Sequence, residues 1–496
     1  MILAAGGKEP VRTENSAANK TSNFSTTKFL IVLAIYFGLH VATRSFVSNN
    51  LQLDEAEQLV MAQQWRLGYG SQPPLYNWLQ NSLFSVIGVN VFALSLLKNT
   101  SLFAAYAFAY FAAREILLKP SLAALAAASM LFIPQLAWES QRDQSHLVLA
   151  TTCAAATLFT FVRLLKTNSL KWYALFGLAM AAGLLSKYNY LLLPASLICA
   201  CLITPGFRRA ILTWKIFIAL GVCIAVSSPH LIWALQNKAA VASQSNKFLI
   251  TGALAPSSAF AGILQVLKAC SGMLIAPLLI YSPLLLKRSK TNDPFLSLLT
   301  KTFLAGFALL LAVVIISNVT YLRDRWVQPL LFALPILLVG LVREQLTPKS
   351  GKILFALSGI VALTVLTAIN MTVVCANLLN RSHNLNIPYP ALSAELRAAG
   401  FQNGTIVANG FLLGGNLKNQ FRQSRVIVPE LDEPDRASRP TLIIWSARLE
   451  NARDEFLDYA ARIAGVDATN AHAQYLDIPC QNGPRNSEKF GYILVR

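Results

Sequence analysis

Residues 29–78 read FLIVLAIYFGLHVATRSFVSNNLQLDEAEQLVMAQQWRLGYGSQPPLYNW. The first twenty are apolar enough, and at 1.5 Å per residue long enough, to cross ~30 Å of hydrocarbon. Three acids follow almost at once, Asp54, Glu55 and Glu57, and then a Gln72-Pro73-Pro74 turn. Leu59, Val60 and Leu67 give residues 55–67 one apolar side, which predicts an amphipathic helix lying at the membrane interface. Asp54 can N-cap that helix with Glu57 completing a capping-box-like pair, a structural role compatible with a chemical one. Pro73 and Pro74 break the helix, Pro74 can open the next at its first turn, and Tyr69, Tyr76 and Trp78 suit an interfacial aromatic belt.

The same apolar texture extends outward. Of 496 residues, 55% are hydrophobic and 13% charged, which predicts a polytopic α-helical membrane protein. Eleven runs read as spans: 29–48, 101–118, 122–138, 147–165, 171–186, 189–204, 213–233, 261–286, 299–318, 326–342 and 353–376. Basic residues before the first span and on alternate loops (Arg114 and Lys119, Arg163–Lys171, Arg208 and Arg209, Lys287–Lys290, Arg343–Lys352) fall on one side. That side is the cytoplasmic one, so residues 1–28 are a cytoplasmic tail and everything after about 377 is external. Residues 377–496 carry mixed charge and β-type runs GTIVAN, SRVIVP, PTLIIWS and YILVR around a helical NARDEFLDYAARIAG. They predict a small soluble α/β domain behind a transmembrane domain over 29–376 whose first external loop, 49–100, carries interfacial helices.

The net charge of +19 lies almost wholly in residues 1–380, among the cytoplasmic loops, which points to anionic membrane lipids and against nucleic acid. Five of the seven cysteines sit inside apolar runs and none shows metal-ligand spacing.

Six acids of the membrane part are external: Asp54, Glu55, Glu57, Glu139, Asp143 and Asp324. Cationic and polar groups gather at the same level: Arg142, His146, Lys187, His230, Arg323 and Arg325. A carboxylate set facing a cationic set fits an anionic ligand with a group to deprotonate. The alternatives are plain: Lys187, Arg323 and Arg325 snorkelling to headgroups, and His146 and His230 in structural hydrogen bonds.

The order of these features resembles the glycosyltransferase C superfamily, in the bacterial branch related to protein O-mannosyltransferases and the lipid A aminoarabinose transferase. The resemblance rests on Asp54-Glu55-Ala56, Gln72-Pro73-Pro74-Leu75, FGLAMAAGLLSKYNYLLLP, SSPHLIWALQN and TYLRDRWVQPLLFALPILL. It implies a bacterial inner-membrane enzyme that moves a sugar, with inversion, from a polyprenyl-phosphate donor to an envelope acceptor (lipid A, lipopolysaccharide core or another envelope glycan) at the periplasmic face. Asp54 matches the family's general base and Asp143 its second external acid, which binds the acceptor or supports the base. Lys187, Arg323 and Arg325 are candidates for the donor phosphate, and Glu55, Arg142, His146, His230, Pro73 and Pro74 for substrate contact. No metal ligand set is evident; a divalent cation at Glu55 stays open because family members differ in metal need. The rival from another class is a lipid-linked saccharide flippase or other secondary transporter, which would carry its key charges near the bilayer midplane in broken helices.

Overall fold

The computed structural model describes residues 25–242, 257–288, 292–317, 319, 321–431, 437–447, 453–465, 472–480 and 487–496. Most of the expected tail and parts of the loops at 234–260 and 287–290 lie outside them.

The chain enters through α1, Thr26–Val47, and leaves it for two short helices, α2 (Leu53–Met61) and α3 (Leu75–Ile87), before α4, Val91–Leu117. The helix expected over 55–67 is thus shorter and starts earlier. Its N-cap is Gln52, and the carboxylate that accepts the Gln52 N–H, at 3.0 Å, belongs to Glu55. The capping pair predicted for Asp54 and Glu57 is shifted by two residues, which releases Asp54. Between α2 and α3, Tyr69 and Gln72 exchange both backbone hydrogen bonds (3.0 and 2.9 Å) around Gly70, whose φ of +56° closes the turn. Pro74 stands one position earlier than expected, as the N-cap of α3. Tyr69 and Tyr76 are almost fully buried, so the aromatic-belt expectation fails for both: each ring packs inside the protein.

α4 begins ten residues before the expected span, absorbing the end of the expected loop. Lys98 and Asn99 break the hydropathy of that stretch. In the fold Lys98 is buried with a partner, donating to the Gln141 carbonyl at 2.9 Å, so a charge that argued against a membrane helix is accommodated by tertiary contact.

Among the described residues, seven helices are long and apolar enough to cross a membrane: α1, α4, His146–Thr167, Ile216–Gln236, Phe260–Leu285, Pro294–Ile316 and Pro348–Val374. Two bent pairs raise the number to nine: Pro120–Phe132 with Gln135–Asp143, turned by 81°, and Asp324–Leu331 with Leu334–Val342, turned by 51°. The expectation of eleven full spans is corrected accordingly. Pro134 and Pro335 sit at the two breaks, where a missing N–H and a ring clash interrupt the helical ladder. Leu170–Ser186 and Tyr188–Leu202 are apolar but shorter.

The C-terminal strands β1 (Thr405–Ala408), β2 (Arg425–Ile427), β3 (Thr441–Ser446), β4 (Gln474–Pro479) and β5 (Ser487–Val495) form one sheet in the order β2-β1-β3-β5-β4. β1 runs parallel to β2 and β3; β5 is antiparallel to β3 and β4. The four β-type runs become β1, β2, β3 and β5. β4 carried no such signal because most of its side chains are exposed.

This domain grips the loop after α1. The Asn416 amide pairs with both backbone groups of Leu51 (2.8 and 3.1 Å), Asn50 donates to the Leu385 and Ile387 carbonyls, and the Gln63 amide closes the edge of β2 through both backbone groups of Val426. Gly415, in the helix Phe411–Gln420, lies against α2 so closely that a Cβ there would stand 2.2 Å from the Ala56 carbonyl oxygen. Because that obstacle is backbone, Gly415→Ala should lower stability by about 1–3 kcal/mol. The check is a lower thermal midpoint of the detergent-solubilised protein; an unchanged midpoint would mean that the two helices separate freely.

Candidate active site

Asp54 is the second residue of α2, and the chain brings it to residues about ninety positions away. Its backbone N–H donates to Asp143 Oδ1 at 3.0 Å, while its own Oδ2 accepts the Ser145 N–H at 3.0 Å and faces the Ser145 hydroxyl at 3.4 Å. The two aspartates therefore cap each other's elements: Asp143 takes an unpaired N–H of the first turn of α2, and Asp54 takes the N–H of the residue preceding His146–Thr167. The 81° turn makes this possible by carrying the arm that ends in Asp143 across to α2. Among the described residues nothing donates to Asp54 Oδ1, so one oxygen of a fixed carboxylate is left for a ligand.

A narrow crevice opens there, lined by Asp54, Gln58, Tyr76, Lys98, Asp143 and Ser145. Pro73 and Pro74, both buried, set the start of α3 and so deliver Tyr76 two residues later. Burial, and then the charges of Asp54 and Glu55, push the Tyr76 phenol well above its ordinary pKa, keeping it a hydrogen-bond donor beside the carboxylates. The His146 ring lies 5.3 Å from this one, tilted by 43°, and its Nε2 meets the Gln58 amide at 3.1 Å.

Glu55, 5% exposed, also lines the crevice, but its carboxylate is committed to neighbouring residues. Arg44 holds it bidentately at 3.0 and 2.5 Å while also donating to the Ser48 and Asn50 carbonyls, and Lys98 stands 3.9 Å off. Burial alone would raise the carboxyl; Arg44 and then Lys98 overcome it and hold it at about 2. With its oxygens committed to Arg44, the Gln52 N–H and Lys98, Glu55 does not fit the divalent cation considered for it. Among the described residues no group of three or more His, Cys, Asp or Glu side chains is placed to hold a metal ion.

The cations fall in two places. Arg142 pairs with Glu139 at 2.7 Å on the surface. Lys187 ends the helix Leu170–Ser186, and Arg323 and Arg325 flank Asp324 on the bent segment. A hydrogen bond from the Asn189 amide to the Trp326 carbonyl at 2.9 Å ties the Lys187 turn to the Arg325 turn, and Gln135 donates to Asp324 at 2.7 Å, joining that turn to the arm that carries Asp143. The Arg325 guanidinium pairs with no described residue, while Arg323 is exposed and lies 5.9 Å from the Tyr321 ring.

His230 is not available to a substrate. Its Nδ1 donates to the Leu67 carbonyl at 2.7 Å, its Nε2 accepts from Tyr188 at 3.0 Å, and its ring is sandwiched by Tyr188 and Trp233. It pins the α2–α3 connection to the span Ile216–Gln236.

Sequence reasoning overlooked Arg44, Lys98, Tyr76 as more than an anchor, and His383. The last reaches in from the C-terminal domain, its Nε2 3.4 Å from the Gln52 amide; burial, then Arg142 and Arg44, hold its imidazole below the ordinary value. Only the lysine carried a signal, as a charge inside an otherwise apolar run.

Residues 71–233 match the family described as dolichyl-phosphate-mannose-protein mannosyltransferase. The lipopolysaccharide core galacturonosyltransferase RgtB of Rhizobium johnstonii is 32% identical over 483 residues, covering 94% of this chain and 96% of that one. RgtA of the same organism, also a lipopolysaccharide core galacturonosyltransferase, is 29% identical over 432 residues, 84% of this chain and 86% of that one. Among solved structures, ArnT from Cupriavidus metallidurans bound to undecaprenyl phosphate superposes with a TM-score of 0.61 over 95% of this chain and 98% of that chain, at 14% identity. A full-length relative at this identity, on this fold, shows that the chain belongs to the glycosyltransferase C superfamily, in the ArnT and protein-mannosyltransferase branch that uses polyprenyl-phosphate sugars, and is a multi-pass membrane glycosyltransferase.

Proposed function

We propose that this enzyme transfers galacturonic acid, with inversion, from a polyprenyl-phosphate donor to a saccharide of the lipopolysaccharide core or lipid A at the periplasmic face of the inner membrane. The choice of sugar and acceptor rests on RgtA and RgtB, both named for galacturonosyl transfer to the lipopolysaccharide core. The observation that carries the chemistry is the fixed Asp54 carboxylate on the crevice wall, held through Oδ2 by Ser145 and with no donor to Oδ1 among the described residues.

Asp54 Oδ1 takes the proton of an acceptor hydroxyl as its oxygen attacks the anomeric carbon. The bond from that carbon to the phosphate oxygen breaks, and its electron pair leaves with the polyprenyl phosphate; a single displacement inverts the centre. Asp143 holds α2 in place and so holds the base, while Tyr76 can donate to the incoming sugar. Lys187 and Arg325 meet the phosphate and stabilise the charge that grows on it, and Arg323 at the exposed edge receives the donor headgroup.

In the membrane, seven spans, or nine with the two bent pairs, are an odd number, which puts the two ends of the chain on opposite faces. The alternating basic loops then place the N-terminus in the cytoplasm and the sheet domain in the periplasm.

Incubation of the purified enzyme with polyprenyl-phosphate galacturonate and core lipopolysaccharide should add one uronic acid mass to the acceptor. Envelope lipopolysaccharide of unchanged mass when the gene is removed would sink this reading. Arg325→Ala should raise the donor KM at least about tenfold with little change in acceptor KM, and Arg325→Lys should recover part of the loss. A donor KM within twofold of wild type would remove Arg325 from the phosphate site.

A further inference from the structure

Beside the catalytic crevice, α2 and α3 form one wall of a second and larger cavity whose other wall is the C-terminal domain. It occupies about 450 Å³, within the roughly 300–1,000 Å³ usual for small-ligand sites, and is lined by Leu59, Trp65, Asn81, Phe84, Lys418 and Arg422. Three features give it a chemistry. Asn81, 6% exposed, lines it with both amide atoms unpartnered among the described residues, so a buried donor and acceptor await a ligand. Lys418 spends two of its three N–H bonds on the Arg422 and Ser424 carbonyls, at 2.9 and 2.7 Å, and Arg422 pairs with no described residue. This end of the groove is therefore cationic and has no acid among its lining residues. At the other end the groove is apolar and open: Trp65 is 63% and Val89 38% exposed, and Leu59 and Phe84 complete its lining.

We infer that this groove is the acceptor's docking site: it takes an anionic glycolipid, its phosphate or carboxylate between Lys418 and Arg422, a sugar on Trp65 and Asn81, and an acyl chain against Leu59, Phe84 and Val89. A soluble sugar would have no use for the apolar lining, and a neutral lipid none for the two cations. The donor is accounted for elsewhere, at Lys187 and Arg325. Both sites share α2, on which Gln58 lines the crevice and Leu59 and Ala62 the groove, so a glycolipid seated here presents its distal sugars to Asp54. The inference rests on the proposed transfer to a lipid-borne acceptor.

The test reads binding without turnover. Immobilised full-length protein in maltoside micelles is offered radiolabelled, bis-phosphorylated lipid A, and retention is compared with Arg422→Glu and Asn81→Leu. Each variant should weaken retention about tenfold. Asn81→Leu should do so without lowering the thermal midpoint, because the amide it removes has no protein partner to lose. Equal retention by wild type and both variants, no retention by wild type, or full displacement by an equal amount of phosphatidylglycerol would each overturn the site. Wild type that retains lipid A but transfers no sugar would overturn the proposed reaction and leave the groove standing.

Discussion

Asp54→Asn should cut sugar transfer by about 10²–10⁴-fold, the usual contribution of a positioned general base, with the protein inserted, folded and purified as wild type. Fold survival is expected because an asparagine Oδ1 can still accept the Ser145 N–H that Asp54 Oδ2 accepts at 3.0 Å, and because the N–H that Asp143 receives comes from the backbone of residue 54. What the amide lacks is a basic oxygen facing the crevice. The loss should therefore appear in kcat, with donor and acceptor KM near wild type. Asp143→Asn offers the contrast: it keeps an acceptor for the Asp54 N–H, so its loss should be smaller. Transfer by Asp54→Asn within fivefold of wild type would mean that another group takes the proton, and the crevice would have to be reassigned.

The part of this site that was legible in the sequence is the part that depends on local pattern. An acid run just after a span, a Pro-Pro turn and alternate basic loops are features of neighbours in the chain, and they singled out Asp54 and the external face proposed for it. What escaped depends on distance through the fold. Nothing near Glu55 announces that Arg44, eleven residues earlier, turns back to hold it with two hydrogen bonds, and so a structural ion pair looked like a candidate ligand. Lys98 looked like the edge of a loop because hydropathy scores a lysine by its charge, not by the buried carboxylate and carbonyl that receive it. His230 looked like a polar group at a span end, whereas both ring nitrogens are already spent. The span count erred for two reasons: the apolar runs at Leu170–Ser186 and Tyr188–Leu202 fold into helices that are shorter than the spans, and composition cannot tell a straight apolar helix from one broken at Pro134 or Pro335, although the break is what swings Asp143 toward α2. The amphipathic pattern of α2 was visible, but its partner was not, since the helix that covers it comes more than 350 residues later.

Replacing Glu55 by glutamine should destabilise the protein by about 3–5 kcal/mol at neutral pH, the cost of breaking a buried pair from one side. Arg44 and Lys98 would be left charged and nearly out of water, with side-chain exposures of 13% and 5%. The size agrees with the acid–base linkage. A carboxyl held at about 2 against an ordinary 4.5 contributes roughly 3 kcal/mol, taking about 1.4 kcal/mol for each pH unit. Because the folded value is the depressed one, this contribution is complete above about pH 4.5 and fades as the pH falls toward 2. The thermal midpoint of the detergent-solubilised wild type should therefore exceed that of Glu55→Gln by several degrees at pH 7, and the two should converge between pH 4.5 and 2. A constant difference across that range would show that the glutamine disturbs packing and not charge. The consequence for catalysis follows from the order of the chain: Glu55 anchors α2 at the residue next to Asp54, so loosening the pair lets the proposed base drift from Ser145. Glu55→Gln should lose activity in proportion to its lost rigidity, at temperatures below its own unfolding, while Asp54→Asn loses activity with the melting curve of the wild type. Measuring both properties in both variants separates a residue that does the chemistry, the role proposed for Asp54, from a neighbour that holds it still.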